Sequence, residues 1–114
     1  MTRPSSLTPE GWSRFTLGQQ ILQIGAEMQR GLDHLEASDM LWLRPCYERA
    51  LGLVDLTVAV NKRPRLRREL LRWREAIAGL YLGERPDPDL HRLAFRALLE
   101  MTPQSQPQVA LLGL

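Results

Sequence analysis

The sequence predicts an all-α fold: a single-domain antiparallel bundle of four main helices, with a flexible N-terminal lead-in and an apolar C-terminal tail. Three observations carry that expectation. Apolar residues recur at three- and four-residue spacing through four successive windows. Runs rich in Val, Ile, Thr and Tyr are almost absent, and aromatic residues reach only 6%. Each window is bracketed by capping residues or proline, and the connections are short. A chain of 114 residues is long enough for one sizeable core and too short for two. Hydrophobic residues at 44% and charged residues at 25% match ordinary globular usage, which argues against wholesale disorder and fibrous repeats.

Residues 1–12 are rich in Ser, Thr and Pro and read as the lead-in, although Thr8, Pro9 and Glu10 form a helix-start signal that a short turn would satisfy. The bundle is expected over residues 13–101. Thr16 and Gln19 have capping-box spacing, and Leu17, Ile21, Ile24, Met28, Leu32 and Leu35 follow as one stripe. Gly18 and Gly25 lie on one side of that helix, as if a neighbouring helix backbone crossed close to it. The second helix runs to Asn61. Ser38 is a candidate cap, and Pro45 predicts a kink or a new start, because proline suits a first turn and not an interior. Its apolar arc, including Tyr47, Ala50, Leu53, Val54, Thr57 and Val58, is wide enough for it to be the most buried helix.

The third helix, from Pro64 to Leu82, turns Leu66, Leu70, Trp73, Ile77 and Leu80 inward. Gly83 closes it. Asp87, Pro88 and Asp89 open a fourth, with Leu90, Ala94, Ala97, Leu98 and Met101 expected inward. Residues 102–114 read as the polar linker PQSQPQ followed by the apolar tail VALLGL. Val109, Leu111, Leu112 and Leu114 are therefore candidate contacts, either folded back on the bundle or docked into a second subunit.

Charge is unevenly placed. Lys62 to Arg74 holds seven of the 15 basic groups and one acidic group, a formal +6 in a chain whose net charge is +2. On a helix, Arg65, Arg68 and Arg72 share a face away from the core stripe. Together with Arg67 and Arg74 they are the candidate contacts for an anionic partner, either an acidic protein surface or an RNA or DNA backbone. A solvated bundle face explains the same pattern. Fourteen of the 15 basic residues are arginine, a bias that codon usage also produces.

Nothing in the sequence calls for a catalytic centre, a cofactor or a metal. Asp33, His34, Glu36 and Asp39 cluster near one helix end without the spacing that closes a ligand shell. Cys46 is the only cysteine, so no internal disulfide forms, and its place on an apolar face marks a structural thiol. No apolar run approaches a membrane span. The expected setting is the cytoplasm. Arg85 and His91, with five residues between them, resemble the Arg-x(4–6)-His pattern of the HEPN ribonucleases, although here those residues, PDPDL, are a helix start. That resemblance covers two residues and the helical class; it implies RNA cleavage with His91 as acid/base and Arg85 on the phosphate. The function expected first is a non-enzymatic protein-interaction module that self-associates, with nucleic-acid binding as the alternative and an RNA-cleaving enzyme as the weaker one.

Overall fold

The computed structural model describes residues 7–114, and its six helices follow the local signals closely. They are α1 (Pro9–Trp12), α2 (Leu17–Glu36), α3 (Met40–Val60), α4 (Pro64–Leu82), α5 (Pro88–Leu99) and α6 (Gln108–Leu111). Among the described residues there is no strand. Thr16 caps α2 in a full capping box: its side chain accepts from the Gln19 N–H, while the Gln19 side chain accepts from the Thr16 N–H. Pro64 and Pro88 occupy the first turns of α4 and α5, where the missing N–H costs nothing.

Side-chain links between helices define the topology. Asn61 meets Gln20 and Arg49 meets Glu27, so α3 runs antiparallel to α2. Arg74 meets Asp55 and Tyr81 meets Glu48, which makes α4 antiparallel to α3. His91 reaches Met28, and Leu99 lies against Gly25, so α5 returns antiparallel to α2 and closes the ring. The core inside that ring includes Ile21, Ile24, Met28, Tyr47, Val54, Leu70, Ile77 and Phe95. Both α1 and α6 pack on its outside, against α3 and α5 respectively.

Several sequence expectations change here. The lead-in is shorter than residues 1–12, because Thr8 caps α1 and Trp12 is fully buried, its indole N–H donating to Thr57 Oγ1 at 3.0 Å. Residues 1–6 lie outside the described residues. Helix α3 is continuous through Pro45, and Asp39 rather than Ser38 caps it, accepting from the Trp42 N–H. Ser38 has instead a left-handed backbone, φ 56°, and ends α2 in a Schellman motif: its N–H bonds the Leu35 carbonyl, and the Asp39 N–H bonds that of His34. With α2 ended so close, the Asp39 cap and the burial of Leu43 hold the first turn of α3 helical despite the proline. The most buried long helix is α2, with ten buried residues of 20, not α3, with eight of 21. It lies between α3 and α5, whereas α3 leaves its N-terminal Leu41 and Trp42 in solvent.

The glycines of α2 admit neighbouring side chains and not a helix backbone. A Cβ on Gly18 would lie 2.6 Å from Gln104 Cβ, in the turn after α5; at Gly25 the neighbours are Leu99 and Phe95. Gly18→Ala is therefore expected to lower stability by about 1–3 kcal/mol, since the Gln104 turn must shift. Gly52→Ala, with open space around it, is expected to raise stability by about 0.5–1 kcal/mol through helix propensity alone. Chemical denaturation of the two variants checks the opposite signs.

The segment read as a polar linker is a folded turn. Ser105 is fully buried, and its hydroxyl donates to the Leu99 carbonyl at 2.7 Å while its N–H bonds Thr102 Oγ1. The first of these bonds satisfies the Leu99 carbonyl, which helix α5 leaves open at its C-terminal end.

Candidate functional site

Helix α5 is apolar on two sides. Its buried side is His91, Phe95, Leu98 and Leu99. Of the residues expected inward, only Leu98 is buried: Leu90 is 53% exposed, Ala97 is exposed, and Ala94 and Met101 are half-buried. Phe95 brings more apolar surface to the core than the alanines, and His91 finds two hydrogen-bond partners there, so that face wins the inward position. The second face is left beside α4.

Where α4 and α5 meet, Trp73 fastens them by donating from its indole N–H to the Ala94 carbonyl at 2.8 Å. Its ring is buried, as its place in the core stripe predicts. Small residues on both helices, Ala76 and Gly79 against Ala94 and Ala97, leave a groove of about 800 Å³. Leu80, Leu90, Leu93 and Met101 form its apolar walls, and Glu69, Arg72 and Glu100 edge one end. Leu93 is 65% exposed. Covering Leu90 and Leu93 would gain about 1–2 kcal/mol each from the surface they still show to water. Leu93→Glu is expected to change the stability of the isolated chain by no more than about 0.5 kcal/mol, because the side chain supports nothing inside. Its denaturation curve should overlay the parent's.

The arginine face lies beside this groove. Arg65, Arg68 and Arg72 are exposed and form no ion pair among the described residues. By helical spacing Arg65 extends the row of Glu69, Arg72 and Ala76 by one turn, so the positive charge gathers at the groove's α4 N-terminal end. Arg67 is half-buried. Arg74 turns away to α3, holding Asp55 with two nitrogens at 2.6 and 3.3 Å. A free cationic face thus consists of three of the five candidate arginines.

The tail divides in the same way. Val109 is buried, Leu114 packs partly against the core, and Leu112 edges a hollow of about 210 Å³ with Leu22, Gly25 and Phe95. Leu111 is 75% exposed. Gly113, at φ 69°, ends α6 in a second Schellman motif, its N–H on Ala110 and that of Leu114 on Val109. A glycine one residue past a short apolar run was the signal for this fold-back; the run of apolar residues alone does not carry it.

A second hollow of about 760 Å³, between α2 and α3, is polar and internally paired: Glu27 sits between Arg49 and Arg30 at 3.0 Å each. At the other positions read from the sequence, the chemistry is already engaged. His91 is fully buried, with its Nε2–H donating to the Met28 carbonyl at 2.8 Å and its Nδ1 accepting from the Tyr47 hydroxyl at 2.7 Å. Burial lowers its pKa below the ordinary 6.5, and Arg92 acts in the same direction. Arg85 donates to Ser38 Oγ, so the two residues of the RNA-cleaving pattern have separate structural partners. Cys46 is buried, and burial first of all raises its pKa, away from the reactive thiolate. Glu36 pairs with Arg92, Asp33 accepts from Gln29, and His34 lies 3.7 Å from Asp39. Among the described residues no group of three ligand side chains converges as a metal site, and no helix is long and apolar enough to cross a membrane.

Fold and surface together define an all-helical four-helix ring that leaves an apolar, arginine-edged groove between its third and fourth long helices. No family model, curated protein or solved structure matches the chain.

Proposed function

We propose that the protein is a non-enzymatic interaction module that binds protein through the α4/α5 groove. One observation supports this above the others: a contiguous apolar face, with Leu90 and Leu93 more than half exposed, stands beside a hollow floored by alanine and glycine. Isolated surface leucines are ordinary, but a lined groove flanked by them matches the way an apolar helix face is received. The arginines at one end add a charge preference. Affinity capture from the native cell with the parent chain and with Leu93→Glu tests the reading. Proteins held by the parent should be lost from the variant; an unchanged set defeats it.

Nucleic-acid binding is the second reading, favoured by the three unpaired arginines on one helix face. Three phosphate contacts imply that affinity for duplex DNA falls about 40-fold between 50 and 200 mM salt. Arg65, Arg68 and Arg72 changed together to Ala should remove that dependence. No retardation of a mixed RNA and DNA pool at low salt rules this reading out.

A further inference from the structure

We infer that the occupant of the groove is a second copy of this chain, set antiparallel across a two-fold axis near Ala76. The inference rests on the groove reading above and names the partner. Shape is the first argument. By the Trp73–Ala94 link, Leu90 and Leu93 stand about level with Ala76, so an antiparallel two-fold axis there sets these exposed leucines against their counterparts in the other copy, the like-on-like contact of an isologous interface.

Charge fixes the direction. Because α4 and α5 are antiparallel neighbours, the groove has one end at the start of α4 and the other at the α4 to α5 connection. The first end holds the unpaired Arg65, Arg68 and Arg72 against Glu69 alone, since Glu100 pairs with Arg96. The second end holds Glu84 and Asp87, both exposed, with Asp89 3.9 Å from Arg92 and the charged Arg85 donating to Ser38, so its acidic excess is modest beside the positive charge of the first end. A two-fold axis at the level of Ala76 brings Arg68 just past the last turn of α4 in the other copy, where Glu84 lies, and Arg65 beyond that helix end, on the side of the acidic connection, at a rise of about 1.5 Å per residue within the helix. A parallel arrangement would set like charges together at both ends.

The size of the face sets the strength. From Glu69 to Leu80 it is about 17 Å long, and two helices make it about 20 Å wide. Two such faces come to roughly 700 Å², below the range of stable interfaces, so the dimer should be weak and concentration-dependent, not obligate.

Sedimentation velocity of the full chain over a wide micromolar range at low salt tests the inference, with circular dichroism confirming that each variant is folded. The parent is expected to pass from monomer to dimer, and Leu93→Glu to remain monomeric. Arg68→Glu and Glu84→Arg should each weaken the dimer about tenfold, because each change acts at two symmetry-related places; the two together should restore it. A parent that stays monomeric overturns the inference while leaving the groove reading to the capture experiment. A dimer indifferent to Leu93→Glu, or a double variant no tighter than its singles, overturns it as well.

Discussion

Trp12→Ala is expected to cost about 3–5 kcal/mol of folding free energy, among the largest single losses in this chain. The indole is fully buried between α1 and α3, and removing it empties the space under α1. It also leaves Thr57 Oγ1 without its donor, although that hydroxyl keeps its own bond to the Leu53 carbonyl. Because α1 is a single turn, it has no stability of its own and should detach with the tryptophan's loss. Gln20, which donates to the Trp12 and Phe15 carbonyls and accepts from Asn61, would lose its anchor on that side. Urea denaturation measures the loss directly, and rapid amide exchange over residues 8–15 would localise it. A loss below 1 kcal/mol would show that Trp12 contributes little.

Acid should loosen the fold through His91. The neutral ring satisfies both of its nitrogens, one donating and one accepting, across three helices. Protonation places a second N–H against Tyr47 and a full charge in the core. Burial opposes that charge most, the bond to the Met28 carbonyl favours it in part, and the like charge of Arg92 opposes it further. The sign follows from linkage: a histidine whose folded pKa is lowered binds its proton more readily when unfolded. Its contribution is therefore complete above the ordinary pKa of about 6.5 and is lost as pH falls below it. The slope reaches about 1.4 kcal/mol per pH unit until the folded pKa is passed. Stability measured from pH 7.5 to 5 should show this decline, and His91→Gln should lack it. His91→Ala is expected to cost about 3–5 kcal/mol at pH 7, through a cavity and a Tyr47 hydroxyl left without its partner. If parent and His91→Gln lose stability in parallel between pH 6.5 and 5, other groups carry the effect.

The same histidine illustrates the limits of local reading. Arg85 and His91 have a suggestive spacing in sequence, yet spacing says nothing about depth. Tyr47 and Met28, 44 and 63 positions away, turn that ring into a core link. The α5 register is a second case. Leu90, Ala94 and Met101 fit a helical stripe as well as Phe95 and Leu99 do, and a helix apolar on two sides has two consistent registers. Only the whole packed ring decides which face is inside.

Elements whose cause is local were legible. The Thr16 and Gln19 capping box, the prolines opening α4 and α5, the end at Asn61 and the stripe of Leu66, Leu70, Trp73 and Ile77 depend on residues within a few turns of one another. The basic side of α4 was legible too, but its division was not: Arg74 is held by Asp55 on α3, which leaves Arg65, Arg68 and Arg72 free. Pro45 gives no new start for a related reason: Asp39 caps the turn before it, and Leu43, Cys46 and Tyr47 on the same stretch are buried in the core.

By itself the sequence determined the helical class, the count and approximate limits of the four long helices, and the gathering of charge on one of them, because short-range periodicity and capping chemistry suffice for those. Tertiary structure alone decided what remains outside. Burial is a competition among all apolar faces for one core, and here the second face of α5 lost it, so that Leu90 and Leu93 stand with Ala76 and Ala97 in an open groove.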